Sequence, residues 1–183
     1  MSRRRTARVE LEDAAVREAV VAALRDDDFE THDSGSEAPT LDLLVVDTPV
    51  PHTGEFLDGD VQGWYGDVRA AISRPFRLVR AATPALRRSG DARVVVIGAG
   101  WIPTSLQRAS AIATAHGGVV ALVKTLARDL GPHGISVNKV VVHPFERTRP
   151  DDVARTVAYL AGPHSAAVTG QLITLGNAGE LRP

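Results

Sequence analysis

The sequence predicts an α/β protein built on a doubly wound, largely parallel sheet. Three observations lead there. Short apolar runs rich in valine and leucine alternate with longer amphipathic segments along most of the chain. The runs are bounded by Gly, Pro, Asp or Asn, which break strands and start helices. A strand–helix alternation of this kind is how a chain covers both faces of a parallel sheet.

Each element has a local reason. Thr6–Leu11 predicts the first strand. Asp13 precedes Ala14–Arg25, a run of good helix formers with an acidic N-cap. Phe29–His32 predicts a second short strand, and Asp33–Thr40 reads as a loop because Ser, Gly and Glu dominate it. The strand Leu41–Asp47 follows, then a loop Thr48–Gly63 and the helix Trp64–Arg88. The strand Arg93–Ile97, helix Thr104–Leu130, strand Ser136–Val142, helix Pro150–Ala161 and strand Gln171–Leu175 complete the pattern. At 183 residues the chain predicts one domain, residues 1–183, large enough to bury a proper core.

Composition excludes several classes. The net charge of −1 gives no basic field for nucleic acid. The absence of cysteine removes a disulfide framework and a thiolate metal site, and no metal is expected. Arg3-Arg4-Arg5 is followed by no apolar run, so residues 1–5 read as a solvated tail and not as a signal peptide or membrane anchor. A cytoplasmic location is expected. Arginine greatly outnumbers lysine, and alanine and valine abound, which fits a GC-rich bacterial source.

From Leu41 to Gly179 the chain resembles the short-chain dehydrogenase/reductase superfamily, in particular 3-oxoacyl-ACP reductases. Leu41–Pro49 resembles the family strand that ends in Asn-Asn-Ala-Gly, and Arg74-Pro75-Phe76 stands where many members have Gly-Pro-Phe. Ala92–Ala99 resembles the strand that delivers the catalytic Ser. The segment Ala121–Asn138 matches best, and Val153–Ala161 followed by Val168-Thr169-Gly170-Gln171 resembles the closing helix and last strand. The resemblance implies a Rossmann-like sheet with one edge strand–helix unit missing. Six strands are then expected in the order 2-1-4-5-6-7 by family numbering.

The same register implies that catalysis has been lost. Ala99 falls at the Ser, Ile112 at the Tyr, His116 at the Lys and Ala71 at the helix Asn of the family's catalytic tetrad. Methyl and butyl side chains cannot hand a proton to a substrate oxygen. The first glycine of the chain is Gly35, so the first strand–helix turn lacks the glycines that let backbone approach a pyrophosphate. Glu10, Glu12 and Asp13 would repel phosphate there. Phe145, in place of the family's glycine after the sixth strand, would fill the nicotinamide space. No cofactor is expected.

Two functions are open on this reading. The first is a non-catalytic subunit that pairs with an active homologue, or with itself. Its interface would be the two-helix surface of Trp64–Arg88 and Thr104–Leu130, with Ile112, Ala115, Val119, Val123, Leu126 and Leu130 in an apolar stripe and Gln171 at a second surface. The second is a cofactor-independent enzyme, such as a cyclase or isomerase of natural-product biosynthesis. His116, His143, Tyr65 and Asp47 are its candidate acid–base groups, histidine because it titrates near neutrality.

Overall fold

Two interior layers, one on each face of a single sheet, account for most of the buried apolar side chains in the computed structural model. The structure describes residues 3–32, 38–100, 107–143 and 148–176. Its strands are β1 (Arg5–Glu10), β2 (Phe29–His32), β3 (Leu43–Asp47), β4 (Ala92–Ala99), β5 (Ile135–Val142) and β6 (Leu172–Thr174). Its helices are α1 (Ala14–Asp26), α2 (Val61–Ser89), α3 (Ser110–Leu130) and α4 (Pro150–Ala161). Among the described residues the six strands form one parallel sheet in the order β2-β1-β3-β4-β5-β6. This is the order expected when the outermost family strand beyond β2 is absent.

The two-residue period of a strand divides the core. On β3 and β4, Val45 and Val95 face α1 and α4, where they meet Val20, Leu24, Val157 and Leu160. Leu44, Val46, Val94 and Val96 face α2 and α3, where they meet Val79, Leu86, Val119 and Val123. Central parallel strands are buried on both faces, which is why these runs read as continuously apolar.

Helix ends follow their local chemistry. The Asp13 carboxylate accepts from the Val16 amide and opens α1, and Asp60 accepts from Gln62 and opens α2 three residues earlier than the sequence predicts. α3 begins at Ser110, later than the predicted Thr104; residues 101–106 lie outside the described residues. Gly134 has φ +71°, and a Cβ there would meet the Gly90 carbonyl oxygen at 2.3 Å. Only glycine suits that crossing of two turns.

The N-terminal arginines are a correction to the tail expected over residues 1–5. Arg5 begins β1, and Arg3 forks onto Asp42, its Nη1 and Nη2 donating at 2.8 and 2.7 Å. Asp42 also accepts from the Thr6 amide at 2.7 Å and from Ser89 Oγ at 2.6 Å. Burial alone would raise its pKa, but the bonds from Arg3, Ser89 and the Thr6 amide outweigh it and hold the carboxyl at about 2. A carboxylate with a lowered folded pKa stabilises the fold above its ordinary value of 3.8, and that contribution is lost as pH falls through about 2. Because Arg3 is half in water, Asp42→Asn is expected to cost about 1–2 kcal/mol at neutral pH. Urea unfolding of both proteins across pH checks this: the difference should shrink as pH approaches about 2.

Candidate functional site

The four positions that the resemblance assigns to the family's catalytic tetrad lie close together in space. Ala99 lies at the C-terminal end of β4, Ile112 and His116 lie one turn apart on α3, and Ala71 comes from α2. All four line one cavity of about 10 Å3, together with Thr48, Pro49, Pro51 and Lys139. That volume holds one water at most. The scaffold therefore still aims these residues at a point, but three of the four carry no proton-transfer group and the point holds no substrate.

A residue that the sequence reading passed over occupies this place. Lys139, one of only two lysines in the chain, is fully buried on β5. Its Nζ lies 2.9 Å from His116 Nδ1 and 3.3 Å from the Ala99 carbonyl oxygen. His116 Nδ1 also lies 3.1 Å from the Ala99 carbonyl oxygen, so it donates there in one tautomer and accepts from the ammonium in the other. Burial pushes Lys139 down to about 8. Burial, and then the charge of Lys139, pushes His116 below its ordinary value. A signal was present in the sequence: Lys139 is the one charged residue in the apolar run Val137–Val142.

The other candidates scatter. Asp47 sits at the end of β3, where Oδ1 accepts from Arg74 Nε at 2.8 Å and Oδ2 from the Glu12 amide at 2.6 Å. Arg74 also reaches the Glu10 carbonyl at 3.2 Å and the Glu12 carboxylate at 3.3 Å. His143 shares with Asp47 a cavity of about 500 Å3 over the C-terminal ends of β3, β4 and β5. Tyr65 belongs to a separate groove of about 630 Å3, beside Trp64, His52 and Asp67. The expected acid–base set is thus divided: His116 is sealed with Lys139, Tyr65 lies elsewhere, and only Asp47 and His143 share a space.

The interface stripe also needs correction. Ile112, Ala115, Val119 and Val123 are buried against this chain's own core and have no surface left for a partner. Leu126 and Leu130 are half-buried beside the same layer, and Gln171 is exposed. α3 with its following turn, Ser110–His133, is long and apolar enough to cross a bilayer, but its apolar side is spent on the sheet.

Comparison with known proteins agrees with the fold. The family profile described as enoyl-(acyl carrier protein) reductase matches residues 30–148, more than half of the chain. The chain belongs to the short-chain dehydrogenase/reductase superfamily. It is 35% identical over 105 residues to trans-4-hydroxycyclohexanecarboxylate dehydrogenase of Sinomonas cyclohexanicum, covering 57% of this chain and 39% of that protein. It is 31% identical over 131 residues to (2S)-[(R)-hydroxy(phenyl)methyl]succinyl-CoA dehydrogenase subunit BbsC of Thauera aromatica, covering 58% and 52%. The chain thus spans only part of the length of these curated relatives. A solved short-chain dehydrogenase/reductase from Serratia marcescens superposes with a TM-score of 0.80 at 21% identity, covering 93% of this chain and 95% of that one, which shows the fold.

The superfamily implies a nicotinamide dinucleotide, and the residues here do not fit one. The pyrophosphate needs free amides at the N-terminus of α1. The Asp13 carboxylate takes the Val16 amide there, and Asp47 takes the Glu12 amide. Arg74 then ties β1 to β3 across the crevice where strand order reverses. Phe145 lies outside the described residues.

Lys139 makes a measurable claim. Its folded pKa of about 8 lies below the ordinary 10.5, so between those values the unfolded chain binds more protons. Stability therefore rises with pH across that window, and the ammonium is a burden below it. Lys139→Met is expected to stabilise the protein at neutral pH by about 1–3 kcal/mol. Urea denaturation from pH 7 upward checks this: the slope seen in the wild type between about 8 and 10.5 should flatten in the variant.

Proposed function

We propose that this chain is a non-catalytic member of its superfamily that assembles with an active, like-folded reductase of fatty-acid or polyketide type. The observation that carries the reading is the sealed meeting point of Ala71, Ala99, Ile112 and His116, filled by Lys139. No hydride-transfer chemistry is available to such a centre, while the helices around it keep their place. A relative described as one subunit of a dehydrogenase supports a role within an assembly. Self-pairing through the same surface is the form expected when the partner is absent.

The contact surface is the outer side of α2 and α3. Val61, Tyr65 and Phe76 of α2 are exposed. On α3, Thr114, Gly117 and Ala121 are exposed and small, so another helix can approach closely. Apolar helix surface of this kind is covered when a like-folded partner brings the same two helices across a pseudo-two-fold axis. Leu126 and Leu130 would border that contact, and Gln171 would belong to a second one.

A cofactor-independent cyclase or isomerase is the second reading, favoured by the cavity that Asp47 and His143 share. Both Asp47 oxygens are engaged, so His143 is left as the acid–base group of that space.

Gly117 gives the cleanest test, because a Cβ there meets nothing within 4 Å in the chain itself. Gly117→Arg should leave circular dichroism unchanged and keep or raise stability, by about 0.5–1 kcal/mol from helix propensity. In light scattering after co-expression with an active 3-oxoacyl-ACP reductase, the wild type should form a mixed assembly and the variant should not. A wild type that stays monomeric there and turns over a substrate alone would refute this reading in favour of the cyclase or isomerase.

A further inference from the structure

The exposed side of α2 carries charge of one sign. The helix contains six arginines and a single carboxylate, Asp67, although the whole chain has a net charge of −1. Arg74 turns inward to Asp47 and Glu12. The other five, Arg69, Arg77, Arg80, Arg87 and Arg88, are exposed. Among the described residues none of the five forms an ion pair. Arg77 reaches only Ser73 Oγ, at 3.2 Å, and Arg88 only the Pro39 carbonyl. Asp67 is already engaged, accepting from the His52 amide and pairing with the His52 ring.

The arginines share their face with aromatic rings. Tyr65, Arg69, Phe76, Arg80 and Arg87 follow one another at alternating steps of four and seven residues. Such steps return to one side of a helix. Ala71, Pro75, Val79, Ala82 and Leu86 fill the opposite side, against the core. The outer row thus interleaves rings that gain by burial with cations that lose by it unless paired. α3 lies beside this row, close enough that a Cβ on Gly118 would meet Ile72 Cδ1 at 2.6 Å. Its outer side adds another exposed cation, Arg128, and its one carboxylate, Asp129, stands at the C-terminal end.

This pattern discriminates between partners. A two-fold contact between copies sets the row on itself. Packed helices run about 8–10 Å apart. At about 0.01 M salt the Debye length is about 30 Å, so the arginines of one helix act on the whole row of the other. Burying Tyr65 and Phe76 then forces unpaired guanidinium groups together, and like charges across an interface penalise that pairing. A partner helix that bears carboxylates removes the penalty and gives each guanidinium a bidentate acceptor.

We infer that the arginine row of α2 selects a like-folded partner whose equivalent helix carries carboxylates, in preference to a second copy of this chain. The inference rests on assembly through α2 and α3 and adds the chemistry of the partner that this surface accepts.

The probe is the chain itself with Arg69→Glu, Arg80→Glu and Arg87→Glu together. All three positions are exposed and unpaired, and glutamate is a good helix former. Circular dichroism confirms the fold of each variant, and sedimentation and light scattering report assembly. At about 0.02 M salt, wild type mixed with this variant should form a one-to-one heterodimer at least about tenfold tighter than the wild-type self-pair. At about 0.5 M salt the advantage should fall to within about threefold. Replacing the same three arginines by glutamine should tighten self-pairing over the wild type at low salt. Gly117→Arg in either partner should abolish the mixed dimer, whereas Arg17→Glu on α1 should leave it intact. No mixed dimer at any salt overturns the inference together with the assembly on which it rests. A mixed dimer no tighter than the wild-type pair, or a glutamine variant that pairs no better than the wild type, overturns the charge selection alone and leaves the assembly standing. Binding of the wild type to phosphatidylglycerol vesicles, with no mixed dimer, would assign the row to a membrane surface and overturn it as well.

Discussion

The central strands β3, β4 and β5 are buried on both faces, and everything else follows from covering them. Leu44, Val46, Val94, Val96 and Val137 present one apolar surface that α2 and α3 must close. Val45, Val95 and Val140 present another that α1 and α4 must close. At roughly 25 cal/mol per Å2, burial of these surfaces outweighs any local preference of the loops. The helices are therefore fixed relative to the strand ends whether or not the chain performs chemistry. That is why Ala71, Ala99, Ile112 and His116, drawn from three elements, line one cavity.

Much of this was legible in the sequence. The family resemblance, together with the missing unit between β2 and β3, implies the strand order, and an apolar run such as Leu43–Val46 fits the middle of a parallel sheet. The register on Lys124-Thr125-Leu126-Ala127 groups Ala71, Ala99, Ile112 and His116, and these four residues line one cavity in the structure. The orientation of α3 was not legible. Its stripe of Ile112, Ala115, Val119 and Val123 is the same pattern whether it faces a partner or a sheet, and only the packed structure shows that it faces the sheet. Arg74 was also hidden, since its contacts to Glu10, Glu12 and Asp47 join three segments distant in sequence. Arg3 belongs to the same class, because a basic terminus looks solvated until Asp42 and Ser89 are brought beside it.

Lys139 places a charge at a fully buried position of a central strand. A charge on a doubly buried strand is costly, and here it is met by one imidazole nitrogen and one carbonyl. No carboxylate faces it in the cavity it lines. Burial lowers the pKa of Lys139, and burial followed by the charge of Lys139 lowers that of His116. In an active site such a pair would serve catalysis. In a cavity the size of one water it serves to fill and fix the space.

The account rests most heavily on the crevice between β1 and β3, where Asp13, Asp47, Glu12 and Arg74 take the amides and the space that a dinucleotide needs. Titration of the isolated chain with NADH and NADPH, followed by nicotinamide fluorescence, tests it directly. The account predicts no saturable binding at submillimolar concentrations. Saturable binding tighter than about 100 μM, roughly −5.5 kcal/mol, would contradict it and return the chain to the cofactor-dependent members of its superfamily.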